Sequence, residues 1–438
     1  MLLDLKNNHD LLVKLKNLYD SRNNLYRKIK NYYEGKTDAK YTYETTDRSN
    51  RKCSINYIKK FVTEEVSFAV GNKTTYISKA GNSDIIKTIE DIFDNQSSNL
   101  DISLCTGLLL YGRVYELYYV YDNEFKIKTI NPTDGIAYEN EEGQVELFMY
   151  FYKKDLDDTK YLDIIDDKFI YKMDENLKLL EEPIPHYFGK CPVGISKLVN
   201  GEHDTVYSEI HELQDVYEKT IWDSCNNIAD LRTSYLALYG IDIDEKTALD
   251  MKKMGILQIP DASGKAEWLT KDINAEFSKN LIDKLEDLIF QISQHINHNV
   301  VLSSNTSGVA LSSRLISLRN KVIVVQKCLE NCIKQRIRHL FRYLDVYKGM
   351  VLDHRDINVQ FTMNLPQDDL SMAQIISQLS DKLSIQTGLS QLSFITDANK
   401  EFEKMLEEQR TIEQNSLETL DNIDTDTQDE AGAADELQ

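Results

Sequence analysis

The stretch SFAVGNKTTYIS, residues 67–78, admits two readings, and the choice between them decides the fold. Gly71, Lys73 and Thr74 stand in the order of a degraded phosphate-binding loop. Such a loop needs a Gly followed directly by Lys and Ser/Thr, with another Gly five residues earlier, and it runs from strand into helix. Here Asn72 separates Gly71 from Lys73, and position 66 is Val. Upstream, Ile55, Ile58, Phe61, Val62, Val66 and Ala69 recur at spacings of three and four, which predicts a helix over 54–70. Gly71 then sits where a helix C′ glycine belongs, and Thr74-Thr75-Tyr76-Ile77 has strand composition. The stretch reads as helix–glycine–strand, not as a nucleotide cradle.

On the N-terminal side, Leu11, Leu15 and Leu18 pattern residues 1–35 as helix, and 36–53 reads as a polar loop. On the C-terminal side, Ile85, Ile86, Ile89 and Phe93 predict one helix and Ile102 to Leu110 another. Gly112 opens a β stretch in which VYELYYVYD turns at Asp122-Asn123 into FKIKTI and stops at Asn131-Pro132. Further strands are expected at Val145–Tyr152 and Lys168–Tyr171, so 1–205 reads as an α+β domain.

Beyond it the chain is predominantly helical, with Pro260 the one proline between 193 and 365. Tyr207–Tyr235 carries Ile210, Leu213, Tyr217, Ile221, Cys225, Ile228, Leu231 and Tyr235 on one stripe. Ala275–Ile296 repeats the pattern with Phe277, Leu281, Leu285, Leu288, Ile292 and Ile296. Between them, 241–270 reads as a compact insert. Asp244 caps a short helix, Lys252-Lys253 suit its last turn, and Gly255 ends it. Ile256–Ile259 and Ala266–Leu269 read as a hairpin around Pro260.

The longest predicted helix is 310–345, apolar at 311, 315, 318, 322, 325, 329 and 332, close to a heptad. Arg314, Arg319, Lys321, Lys327, Lys334, Arg336, Arg338 and Arg342 face a single acid there, Glu330. Ile357–Met363 reads as a strand and 368–412 as helices. The tail 413–438 holds nine Asp/Glu and no Lys/Arg, the composition of a disordered segment.

Composition narrows the function. The 438 residues allow two to four domains, and 41% apolar residues suit a soluble protein. No run of about 18 apolar residues is present to span a membrane, and the start MLLDLKNNHD lacks a signal-peptide apolar region. The six cysteines are scattered without a C-x-x-C, as in a reduced cytoplasm. A net charge of −21 argues against tight nucleic-acid binding, which needs Lys/Arg surfaces that release counterions.

No catalytic constellation emerges. His295 and His298 share a spacing but have no third ligand nearby, and H-E-x-x-H is absent. Cys328, Cys332 and His339 fall on one helical face, where cysteine at apolar heptad positions is ordinarily buried. Glu124-Phe125-Lys126 is half of one nuclease pattern, without the preceding Pro-Asp. No metal, cofactor or enzymatic activity is expected.

Several motifs, in order, resemble the portal proteins of tailed double-stranded DNA bacteriophages, in the form typical of long-tailed phages. Tyr32-Tyr33-Glu34-Gly35 resembles an early Tyr-Tyr-x-Gly of that family, and Asn56-Tyr57 through Gly71 and Tyr76 its helix–Gly–strand. Tyr111-Gly112-Arg113-Val114-Tyr115 is similar to the Tyr-Gly before its wing hairpin, with Asn131-Pro132 following. Phe188-Gly189-Lys190-Cys191-Pro192-Val193 and Asn200 resemble the approach to the stem, and Leu213-Gln214-Asp215-Val216-Tyr217 its first helix. The most specific match is Asn305-Thr306-Ser307-Gly308-Val309-Ala310-Leu311, opening the long helix; together these motifs cover roughly 30–410. One departure is that the family often has a Pro after the second stem helix, whereas His298-Asn299-Val300-Val301 runs on without one.

The resemblance implies a wing over 1–205 completed by a strand at 357–366, and a first stem helix at 206–240. It places a clip at 241–270, a second stem helix at 271–298 and a tunnel loop at 299–309. The long basic helix is then 310–347, crown helices 367–412 and the acidic tail 413–438. It implies a ring of twelve copies at one capsid vertex, assembled in the host cytoplasm and kept in the virion, through which double-stranded DNA enters and leaves. Implied partners are the terminase large subunit, a head-completion adaptor, and the major capsid and scaffolding proteins.

Val301, Leu302, Ser303, Ser304, Asn305 and Thr306 would face DNA; Asp242, Asp244, Glu245, Lys252, Lys253 and Asp261 would dock the motor or adaptor. The eight cations of the long helix stay open between a solvated face, pairing with a neighbouring subunit, and DNA contact. The alternative class is a helical scaffold or adaptor of a phage-like particle with no channel.

Overall fold

The computed structural model describes residues 9–45, 49–154, 156, 159–231, 235–239, 246, 249, 265–269, 275–297, 308–363, 369–379, 382–390, 392, 395 and 397–412. The fold is α+β, as expected. Helices α1 (His9–Tyr33), α2 (Asp38–Thr42) and α3 (Tyr57–Val70) open the chain. Asn56 caps α3: its side chain accepts from the Lys59 amide and donates to the Tyr33 carbonyl. Gly71 follows α3 but has φ −64 and ψ −30, so it is not the left-handed C′ glycine expected. The chain leaves the helix without that reversal and enters β1 (Thr75–Ser78) directly.

After α4 (Ser83–Asp94) and α5 (Leu100–Tyr111), Gly112 does adopt a left-handed cap, φ 73, and turns the chain into β2 (Arg113–Tyr121). Strand β3 (Glu124–Ile130) pairs with β2 across Asp122 and Asn123, both at positive φ, 53 and 60. That is the primed two-residue turn whose twist matches a hairpin. Strands β4 (Gly135–Glu139), β5 (Val145–Lys153), β6 (Lys160–Ile165), β7 (Phe169–Met173) and β8 (Ile184–Pro185) form an antiparallel meander. Strand β9 (Val193–Lys197) returns to the free edge of β2.

Alternation along β2 divides the core. Tyr115 and Leu117 pack with Phe148, Ile165 and Val193 against the meander. Val114 and Tyr118 face the large helical core that holds α3, α5 and the long helix. The outer face of the meander is closed by Leu12, Leu15 and Tyr19 of α1, the last stacked on Phe151 at 4.1 Å.

Helix α6 (Val206–Leu231) ends earlier than the expected 206–240, because Tyr235–Tyr239 is strand β10. Its partner is β11 (Lys265–Leu269), with Ala237 opposite Glu267. The alternating bulky run Tyr235-Leu236-Ala237-Leu238-Tyr239 suits a strand better than a helix end. The hairpin expected between 256–259 and 266–269 is corrected on its second arm, which pairs with 235–239; residues 256–259 lie outside the described residues.

Helix α7 (Ala275–Ile292) precedes α8 (Gly308–Lys348), the long helix, about 60 Å from end to end. Its heptad positions Leu315, Leu318, Val322, Val325, Leu329 and Cys332 are buried. Strand β12 (Ile357–Gln360) pairs with β1 at Tyr76–Val359, so the C-terminal strand completes the N-terminal domain. Helices α9 (Asp369–Gln378) and α10 (Ile385–Leu389) follow, and 398–412 are helical.

Candidate functional site

Two buried ion clusters tie the long helix α8 to the rest of the chain. In the first, Arg336 is 1% exposed and holds the fully buried Glu116 of β2 through Nε at 3.0 Å and Nη2 at 2.6 Å. A second carboxylate, Asp101 at the start of α5, lies 2.8 Å from Nη2, and Tyr118 donates to Glu116 at 3.1 Å. The guanidinium sits 5.6 Å from the Phe93 ring centroid. Burial would pull Arg336 down, yet Glu116 and Asp101 outweigh it and hold it well above its ordinary value. A planar fork between two carboxylates is geometry that arginine satisfies and lysine does not.

The second cluster lies at the root of the expected tunnel loop. Lys321 of α8 reaches Glu65 of α3 at 2.9 Å and Glu209 of α6 at 2.8 Å. Burial pushes Glu65 up to about 6, against the pull of Lys321. His295 stacks on Phe61 at 4.0 Å, and its Nδ1 donates to the Ser293 carbonyl at 2.8 Å. Its Nε2 lies 3.5 Å from Glu65 Oε1, and burial lowers the imidazole to about 3, leaving it neutral.

No proline ends α7. The stop is a left-handed Gln294, φ 62, with the His295 amide bonded to the Phe290 carbonyl and the Gln294 amide to Gln291. This is a Schellman closure made without glycine.

Of the eight cations left open between solvent, a neighbouring subunit and DNA, Arg336 and Lys321 fit none of the three, because both spend their charge inside the chain. Sequence reasoning missed Glu116, Asp101, Glu65 and Glu209. A signal was available for Glu116 and Asp101, each the lone acid of an apolar run and ordinarily avoided there unless paired, but not for Glu65 and Glu209, which lie in helices with several other charged residues. Lys327 and Lys334 flank Glu330 at 2.7 and 2.6 Å, and Arg342 pairs with Asp345. Arg319 is exposed and Arg338 half-buried, and neither has a hydrogen bond or ion pair among the described residues. Arg314 lies in α8, but its side chain is outside the described residues.

The loop positions Val301, Leu302, Ser303, Ser304, Asn305 and Thr306 lie outside the described residues, as do Asp242, Asp244, Glu245, Lys252, Lys253 and Asp261. What is described of the insert is the β10–β11 hairpin at its base and two helical positions, Lys246 and Leu249. Cys332 and His339 are buried; His339 stacks 5.0 Å from Tyr118, and burial lowers it to about 3. Glu124 and Lys126 pair with each other at 2.6 Å near the tip of the β2–β3 hairpin. No group of three or more metal-ligating side chains comes together among the described residues, and no described helix is long and apolar enough to cross a membrane.

No curated protein matches the chain. Among solved structures it is similar to the neck of an empty gene transfer agent (GTA) particle computed with C6 symmetry. That likeness has 11% identity and a TM-score of 0.47, and covers 74% of this chain and 86% of that one. It is also similar to the neck of a native GTA particle computed with C12 symmetry, at 10% identity and a TM-score of 0.44, over 75% and 87% of the two chains. A chain of the virion of the native gene transfer agent particle gives 11% identity and 0.43, over 74% and 86%. The assignment rests instead on the family match, phage portal protein, SPP1 Gp6-like, which spans residues 13–415. The chain belongs to that family of phage portal proteins.

Proposed function

We propose that this portal protein assembles into a closed ring of twelve copies at one capsid vertex, where it forms the channel for packaging and ejection of double-stranded DNA. The family match over residues 13–415 carries the reading. Apolar side chains left exposed on the helices support it: Val216 and Ile228 on α6, Leu281 on α7, and Ile316 and Val324 on α8. A single subunit does not cover them, and a ring with head-to-tail contacts would. A net charge of −21 suits a conduit that must not retain a polyanion.

In this reading the uncharged stretch 296–313 supplies the loop that faces DNA, through Val301 to Thr306. The insert 241–270 presents the surface for the terminase large subunit and the head-completion adaptor, with Asp242, Asp244, Glu245, Lys252, Lys253 and Asp261 upon it. Capsid and scaffolding proteins surround the vertex, and the ring is built in the host cytoplasm before it enters the virion. Of the basic helix, Arg319 and Arg338, unpaired among the described residues, and Arg314 remain candidates for pairing with a neighbour.

The test is a packaging assay with Ser304→Lys combined with Asn305→Lys. Each added Lys brings a phosphate contact of about one released counterion, repeated around the ring. Rings should form normally while packaging slows or stalls, with partial relief at higher salt. Packaging at the wild-type rate at every salt concentration would remove this loop from the channel.

A further inference from the structure

A cleft of about 440 Å³ opens where the loop before β9 meets the C-terminal end of α8. Its walls combine two chemistries. Phe188 and Phe341 form an apolar floor, with Leu352 half-buried and Val351 83% exposed at the rim. Lys190, Arg338 and Arg342 bring three cations against one acid, Asp345, which is already bonded to Arg342. Lys190 is held only by the neutral Gln144 amide oxygen, at 3.0 Å, and Arg338 has no partner among the described residues. The two histidines of the lining add no charge at neutral pH, since burial lowers His339 to about 3 and also lowers His354, which Arg338 pushes further down. The cleft is thus net positive on a chain whose total is −21.

Such a lining selects an acidic peptide with interleaved apolar side chains. A duplex fits poorly, because its phosphate backbone offers nothing to Val351, Leu352 and the two phenylalanines. One segment of this chain has the matching composition. Residues 413–438 hold nine Asp/Glu and no Lys/Arg. Within them Leu417, Leu420 and Ile423 recur every third position between Glu418, Asp421, Asp424 and Asp426. Fully extended, the chain carries Leu417 up to about 17 Å and Asp426 up to about 48 Å from Ile412, the span over which the segment can meet the cleft of its own subunit or of a neighbour.

We infer that the acidic segment 417–426 docks in the cleft between Phe188–Lys190 and Arg338–His354, with Leu417, Leu420 and Ile423 against its apolar floor and the acids on Lys190 and Arg338. Docking neutralises Lys190 and Arg338 and keeps them from nucleic acid.

The test uses the full-length chain with a photo-crosslinking benzoylphenylalanine in place of Leu420, mapped by mass spectrometry after irradiation. Crosslinks to peptides containing 186–190 or 338–354 are expected. Their yield should fall about fivefold or more in Lys190→Glu combined with Arg338→Glu, the loss that removing two exposed ion pairs predicts. It should also fall as salt rises. Both substitutions are at solvent-accessible positions, and an unchanged thermal melt shows that the double variant folds. Crosslinks absent from the cleft, or unchanged in a folded double variant, overturn the inference. So does retention of a short DNA duplex by the wild type that the double variant abolishes while tail crosslinks lie elsewhere, which would give the cleft to nucleic acid.

Discussion

Arg336 and Glu65 fix how the long helix sits in the molecule, and each makes a separable prediction. Glu116 is fully buried, and Arg336 is its principal countercharge. Arg336→Ala strands that carboxylate and should cost about 3–5 kcal/mol in urea unfolding. Replacing the pair together, Arg336→Met with Glu116→Gln, should recover much of the loss, since both buried charges are then gone. Recovery no better than the single variant would mean that the cluster acts by shape rather than charge. Glu65 titrates at about 6 in the fold against an ordinary 4.5. A raised carboxyl binds its proton more tightly when folded, so its stabilising contribution is full below about pH 4.5 and lost as pH rises through about 6. The difference corresponds to about 2 kcal/mol. Between pH 4.5 and 6 this opposes His295 and His339, whose lowering from 6.5 to about 3 makes stability fall as pH drops from about 6.5 to 3, so Glu65→Gln should make stability rise more steeply with pH across 4.5–6 than in the wild type. Equal slopes in variant and wild type would place Glu65 in a solvated site. None of these roles was legible from sequence. Arg336 looks like its neighbours on α8, and its carboxylate lies 220 positions away in a strand.

At the scale of elements, legibility followed periodicity. The 3.6 pattern of α8 and the Asp122-Asn123 turn were readable because each is a local property of its own residues. The end of α6 was not readable. The apolar stripe continues through Tyr235, and only the partner strand β11 decides that 235–239 is extended. Gly112 gives the sharpest test of a local signal. A Cβ there would fall on the Gly201 carbonyl and the Glu202 amide, backbone atoms that cannot swing away, at φ 73. Gly143 has a similar φ, 74, but open space around it. Gly143→Ala should therefore cost only the left-handed strain, about 1–2 kcal/mol. Gly112→Ala should cost clearly more, because the α5–β2 corner must also part from the turn before α6. Thermal melts of the two variants side by side decide it, and equal costs would mean that the corner relaxes freely.

For the whole molecule, what one chain leaves uncovered matters most. Ile316 and Val324 of α8 are 56% and 48% exposed in the isolated subunit. Ile316→Asp with Val324→Asp should leave the subunit melt unchanged and shift rings toward monomers in sedimentation. An unaltered ring population would put this face outside the interface. The tunnel loop and most of the clip were read from composition and family resemblance and lie outside the described residues, so function there is tested in solution. The central claim is that this chain makes a channel, and electron microscopy of the purified full-length protein tests it most directly. Closed rings near twelvefold with a central hole are the predicted result; a monodisperse monomer across micromolar concentrations, or compact particles without a hole, would contradict it.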